Sequence, residues 1–193
     1  VLASLGPGPS EEVVIHGVDV TEQRSNERAL AYHATHDQLT GLANRHAMEA
    51  ELRSRLSHIG TIGLGSVAVM FIDLDNFKLV NDSSGHAVGD RVLQVVARRL
   101  RQQLRGVDIV ARFGGDEFVV VWSLFSPVED DPRGDDELAA MGARVLAAVS
   151  APIDVGTSTC TLTASAGIAV TDDPRTDPSS ILSDADAALY LAK

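Results

Sequence analysis

Apolar positions along this chain follow two different periods, and the switches between them mark its elements. Met48, Leu52, Leu56 and Ile59 recur at three- and four-residue spacing, which predicts a helix over residues 42–59 with one apolar face. A second stripe of Val92, Val96, Leu100 and Leu104 predicts a helix over 87–104. Between them the pattern becomes continuous. Ser66-Val-Ala-Val-Met-Phe-Ile-Asp73 reads as a central strand buried on both faces, delivering the Asp73 carboxylate to the edge of the sheet.

Val107 to Phe113 and Phe118 to Phe125 are rich in β-branched and aromatic residues and read as two strands. Gly114-Gly115-Asp116-Glu117 joins them, where a hairpin needs positive φ or a backbone that a ligand can approach closely. An acidic loop is expected from Ser126 to Glu137, then a helix over 138–149, strands near 160–170, and terminal helices from Ser179. The first segment differs. Val1 to Pro9 reads as loop, Glu11 to Val20 as a strand, and Asp19-Val-Thr-Glu22 as the start of a helix running toward His36.

Composition narrows the function. The 193 residues suit one domain with a sizeable core plus an appendage, and 27 acidic against 16 basic residues give a formal charge of −11. With no basic stripe, nucleic acid is not the expected partner. No apolar run is long enough to span a bilayer and no signal peptide is visible at the start, so a cytoplasmic enzyme is expected. The lone Cys160 excludes a disulfide framework. His33 and His36 lack the further Cys or His partners that zinc requires, and the acidic stretch 129–137 lacks a calcium-loop pattern.

Two carboxylate-bearing turns remain, one at Asp73 and one at Asp116-Glu117. They belong to a longer series of ordered blocks: Asp37-Gln-Leu-Thr-Gly-Leu-Ala-Asn-Arg45, Asp73-Leu-Asp-Asn-Phe-Lys78, Asn81-Asp82, Gly85-His86, Gly89-Asp90, Gly114-Gly-Asp-Glu-Phe118, Ser165-Ala-Gly-Ile168 and Ala185-Asp-Ala-Ala-Leu-Tyr-Leu-Ala-Lys193. On these blocks residues 37–193 resemble the GGDEF-domain diguanylate cyclases.

The resemblance implies an α+β fold, with a mainly antiparallel central sheet flanked by helices, like the palm of nucleotide polymerases. It implies condensation of two GTP to cyclic di-GMP with loss of two pyrophosphates, across a homodimer of domains. GTP is a polyanion, so so acidic a protein needs a divalent cation to offset the repulsion, and the family uses two Mg²⁺ or Mn²⁺ per site. Asp73, the Leu74 carbonyl and Asp116 match its metal ligands. Glu117 matches a residue for metal binding or proton acceptance, and either it or Asp116 takes the second role. Asn81 and Asp90 match the guanine contacts, with His86 nearby, and an ionised Asp90 can accept from guanine donors that adenine lacks. Lys78 and Lys193 match lysines that approach phosphates. Arg105-Gly-Val-Asp108 stands at the family's offset for an inhibitory site that binds cyclic di-GMP.

Residues 1–20 resemble the exit of a PAS-like sensor domain, with 21–36 as a signalling helix. The family pattern continues past its final lysine to Gly-Arg while this chain stops at Lys193, so weaker GTP binding than in a longer parent is expected. The alternatives are a catalytically silent module that binds GTP or cyclic di-GMP, and a dimerising signal relay.

Overall fold

The structure, a computed structural model, describes residues 29–61, 65–124, 133–156 and 159–193. The chain divides into two units, residues 1–34 and 35–193. Of the first, residues 29–34 are described and are helical. The expected sensor strand and the start of the signalling helix lie outside the described residues, as does most of the expected acidic loop.

The second unit is built on seven strands and five principal helices among the described residues. In chain order these are β1 (Ala43–Asn44), α1 (Arg45–Ser57), β2 (Ser66–Leu74), α2 (Phe77–Ser84), α3 (His86–Gln103), β3 (Ile109–Gly114) and β4 (Glu117–Leu124). Then come α4 (Arg133–Ser150), β5 (Ile153–Asp154), β6 (Thr159–Cys160), β7 (Ala164–Thr171) and α5 (Pro178–Ala192). The main sheet runs β1-β3-β4-β2-β7, antiparallel throughout except for the short parallel β1–β3 pair. The palm-like α+β expectation therefore holds. Among the described residues no helix is long and apolar enough to cross a membrane.

The alternation of strand side chains divides the core in two and explains why β2 reads as continuously apolar. Ala68, Met70 and Ile72 pack with Phe118, Val120 and Trp122 under α3 and α4. Val67, Val69 and Phe71 pack with Val119 and Val121 under α1 and α5, where Met48, Leu52, Leu56, Ile181, Leu182 and Leu189 close the layer. Each of the Val, Leu, Ile, Met and Phe side chains contributes about 1.5–3 kcal/mol by leaving water.

Several boundaries differ from the periodic reading, each for a local reason. α1 starts at Arg45 because the Asn44 side chain accepts from Ala47 N at 2.9 Å, leaving Leu42 and Ile59 buried just outside the helix. β3 starts at Ile109 rather than Val107, because residues 105–108 form a turn closed by Asp108 N donating to Arg105 O. Of the two hairpin glycines only Gly115 has positive φ (50°), while Gly114 ends β3 just past a register shift after Arg112. The polar segment after Asp73 contains a helix, α2, entered through Asn76 in the left-handed region at φ 57°. α4 begins at Arg133, inside the stretch expected to be loop. One terminal helix forms rather than several, with Asp177 accepting from Ser179 N and Pro178 in its first turn.

Two arginines fix α3 to α4 by capping each other's helix. Arg99 of α3 donates to Ala151 O (2.5 Å) and Pro152 O (2.6 Å) beyond the end of α4. Arg144 of α4 donates to Gln103 O at 3.0 Å.

The closest backbone approach lies on the opposite face. A methyl group at Gly167 of β7 would fall 2.1 Å from Leu189 N and 2.2 Å from Ala185 O, so α5 rests directly on the strand. Neither backbone atom can move without moving the helix. Gly167→Ala is expected to destabilise the domain by about 3 kcal/mol through overpacking; thermal denaturation checks this, and an unchanged melting temperature contradicts it.

Candidate functional site

Strand register brings the two carboxylate turns together. In the β2–β4 ladder Asp73 stands opposite Glu117, so both side chains leave the sheet on the face covered by α1 and α5. Leu74 N donates to Asp116 O at 3.3 Å, which joins the strand end to the Gly-Gly turn. The side chains nonetheless open into neighbouring clefts. Asp73 lines one of 390 Å³ with Asp75, Thr163, Ser165 and Lys193. Glu117 lines one of 460 Å³ between α1 and α5, with Phe71, Phe113 and Asp186. Asp116 lines a third, of 360 Å³, with Lys78, Asn81, His86 and Asp90. Among the described residues no three His, Cys, Asp or Glu side chains converge at metal-binding distance.

The third cleft collects the residues expected at guanine. Gly85, at φ 86°, makes the sharp turn between α2 and α3, so Asn81 on the first helix and His86 and Asp90 on the second face one space. Gly89 lets the helices close over Asn81, since a methyl group there would meet Asn81 Oδ1 at 1.9 Å. Lys78 borders this cleft, whereas Lys193 lies on the Asp73 side.

Charge is unevenly balanced around the rim. Lys193 Nζ lies 2.7 Å from Asp73 Oδ1. That hydrogen bond, reinforced by the charges of Asp73, Asp75 and Asp116, holds the ammonium pKa above its ordinary value against the opposing effect of burial. Burial pushes the Glu117 carboxyl up, as do the negative charges of Asp73, Asp116 and Asp186, with only Lys193 opposing. The donors are hard oxygens, they carry excess negative charge, and Asp73 already holds a cation. The set fits Mg²⁺ or Mn²⁺.

Three residues act here without a role foreseen from the sequence. Arg112 donates from Nε and Nη2 to Gly115 O (2.9 and 2.7 Å) and from Nη1 to Asp37 Oδ2 (3.2 Å). It thus ties the Gly-Gly turn to the domain entrance. Burial alone would raise the Asp37 carboxyl, but the Thr40 hydroxyl and amide, together with Arg112, outweigh it and hold the group below the usual carboxylate range. Asp75 accepts from Thr163 Oγ1 (2.6 Å) and Ser165 Oγ (2.8 Å), pinning the end of β2 to β7. All three lie in or beside the ordered blocks, which was the available signal; the partners that link them across the fold are 75 to 90 residues away in sequence and are visible only in three dimensions.

Arg105 and Asp108 lie away from these clefts, in the turn after α3. Asp108 Oδ2 accepts from Arg105 N at 2.8 Å, and the Arg105 guanidinium reaches Glu137 Oε1 of α4 at 3.4 Å.

Residues 34–193 match the family model described as "Diguanylate cyclase, GGDEF domain", and the chain belongs to that family. It is 42% identical over 166 residues to diguanylate cyclase TpbB of Pseudomonas aeruginosa (strain UCBPP-PA14), covering 86% of this chain and 36% of that protein. It is 35% identical over 189 residues to cyclic di-GMP phosphodiesterase PdeR of Escherichia coli (strain K12), covering 97% of this chain and 27% of that one. The chain therefore spans about a third of the length of these relatives. The crystal structure of the coiled coil and GGDEF domain of DgcB from Caulobacter crescentus, in complex with c-di-GMP, superposes with a TM-score of 0.75 at 27% identity, covering 89% of this chain and 86% of that one.

A raised Glu117 has a consequence for stability. Below the unfolded carboxylate pKa the side chain is neutral in both states and costs nothing, and the cost appears as pH rises through the raised folded value. With divalent metal chelated, Glu117→Gln is expected to raise the melting temperature at pH 7 and to lose that advantage below about pH 4. A lower melting temperature for the variant at pH 7 contradicts the assignment.

Proposed function

We propose that this domain condenses two GTP into cyclic di-GMP, releasing two pyrophosphates, with two domains facing each other and one GTP held by each. The observation that carries the reading is the Asp73–Glu117 pair in β2–β4 register, beside Lys193 and one turn from a cleft lined by Asn81 and Asp90. A base-recognition cleft thereby borders a cation-hungry set of oxygens.

In this reading Asp90 accepts from guanine N1–H and the exocyclic amine while Asn81 donates and accepts, so adenine would leave these polar groups unpaired. His86 lines the same cleft. Lys78 and Lys193 hold phosphate oxygens from the two sides of the rim. Asp73, the Leu74 carbonyl, Asp116 and Glu117 would hold Mg²⁺ or Mn²⁺, two ions per site, which when bound supply positive charge to the attacking and leaving oxygens. The ribose 3′-oxygen gives its proton to a carboxylate, forms a bond to the α-phosphorus of the facing nucleotide, and pyrophosphate departs as the α–β anhydride bond breaks. Glu117 and the adjacent Asp116 are the two candidates for that carboxylate. Asp116 stands on the nucleotide side. The second transfer repeats the step with the roles of the two nucleotides exchanged.

Arg105 and Asp108 form the proposed inhibitory site for the product, the guanidinium taking phosphate or a guanine edge and the carboxylate taking guanine donors. An upstream sensor, joined through residues 21–36, would set how the two domains meet. A second reading is favoured by PdeR, a relative named as a phosphodiesterase that matches nearly the whole chain. In it the domain binds nucleotide to regulate an attached enzyme and makes no product.

Incubation with GTP and Mg²⁺, scored for cyclic dinucleotide and pyrophosphate, separates the two readings. Product is expected in a ratio of one cyclic dinucleotide to two pyrophosphates, and Asp116→Asn is expected to lower its rate by at least about a hundredfold. GTP binding by a dimeric sample that forms neither product overturns the cyclase reading and supports the regulatory one.

A further inference from the structure

The Asp73–Lys193 contact does more than neutralise a pair of charges. Among the described residues the Asp73 carboxylate pairs with Lys193 alone, whereas neighbouring Asp75 spends its oxygens on the Thr163 and Ser165 hydroxyls. One ammonium thus stands on the one carboxylate of β2 that is otherwise open. It is also felt electrostatically by Asp75, Asp116 and Glu117.

We propose that Lys193 is a stand-in cation that occupies Asp73 until a divalent metal displaces it, and that its release hands the same ammonium to the phosphates of the incoming nucleotide. The inference rests on the cyclase reading, in which Asp73 is a metal ligand. It adds a competition between side chain and metal, and a coupling of metal entry to phosphate capture.

The argument is geometric. A divalent ion sits about 2 Å from a carboxylate oxygen. With Nζ 2.7 Å from Asp73 Oδ1, such an ion and the ammonium would stand within roughly 5 Å of each other, where like charges repel strongly. The two cations exclude each other from Asp73 unless the lysine swings away. The backbone does not have to move for that to happen. α5 is seated on β7 through Gly167, four residues before the β7 end, while the Lys193 side chain is 45% exposed and turns about four single bonds into open cleft. An anchored helix carrying this ammonium on a flexible side chain makes a switch of fixed origin and short reach.

The exchange also explains how a strongly acidic rim remains folded without metal. Lys193 offsets the charge of Asp73 in that state, and the metal does so in the loaded state. When metal takes Asp73, the displaced ammonium needs a new anion, and nucleotide phosphates bring one. Metal and GTP are therefore expected to bind each other's complexes more tightly than either binds the bare domain.

Electron paramagnetic resonance of free Mn²⁺, titrated into the nucleotide-free domain, reads the competition without any turnover. Lys193→Met is expected to bind Mn²⁺ about threefold to fivefold more tightly than the parent, the scale of a partly exposed ion pair. The same variant should bind GTP with Mn²⁺ more weakly. Lys193→Arg, which keeps the ion pair, should leave Mn²⁺ affinity near that of the parent. Unchanged or weaker Mn²⁺ binding by Lys193→Met overturns the inference. Asp73→Asn distinguishes that failure from failure of the underlying reading. If it abolishes Mn²⁺ binding while Lys193→Met has no effect, the metal site stands and the stand-in role falls; if it leaves Mn²⁺ binding intact, the metal-site reading falls and the inference with it.

Discussion

Two carboxylates facing each other across neighbouring strands are a liability in any sheet, because like charges in directly opposed positions repel. Asp73 and Glu117 are held in that position by eight consecutive paired residues of the β2–β4 ladder. The ladder is buried on both faces, so its register cannot slip without exposing its apolar side chains. The hydrophobic core thus holds two like charges in opposed positions, and the nearby Lys193 ammonium offsets part of that charge. Much of the surrounding architecture fixes the groups that meet at that place.

The means are mostly matters of close approach. Gly167 lets α5 rest on β7, so the helix delivers Lys193 to Asp73 at its far end. Gly89 lets α3 close on α2, which aims Asn81 into the same cleft as Asp90. Asp75 ties the end of β2 to β7, and Arg112 bridges the hairpin carbonyl of Gly115 to Asp37. Each of these fixes a loop that would otherwise be free to carry its functional side chain elsewhere. The Arg112–Asp37 bridge also makes the signature turn mechanically continuous with the first residues of the domain, where any upstream unit would join.

Much of this is legible in the amino-acid sequence. The strand ending at Asp73, the hairpin at Gly114–Phe118 and the stripes of α1 and α3 follow from period and β-branched content, and the ordered blocks pointed to the family. What stayed hidden was hidden for physical reasons. α2 is short and polar, stabilised by packing Phe77 and by the turn at Gly85 rather than by an apolar stripe, so periodicity passed over it. The start of β3 was displaced by the turn at Arg105–Asp108, whose carboxylate-to-backbone bond competes with the strand. That Asp73, Asp116 and Glu117 open into three adjoining clefts depends on side-chain alternation across a register, which a single sequence does not specify.

The claim on which the account depends is that the Asp73–Glu117 pairing forms a metal site. The most direct measurement is a crystal structure of the domain with Mn²⁺ and a non-hydrolysable GTP analogue, using anomalous scattering to locate the metal. The account predicts a manganese peak bonded to both carboxylates and to the Leu74 carbonyl, against the triphosphate. Manganese bound to the phosphates with neither carboxylate in its coordination sphere would contradict it.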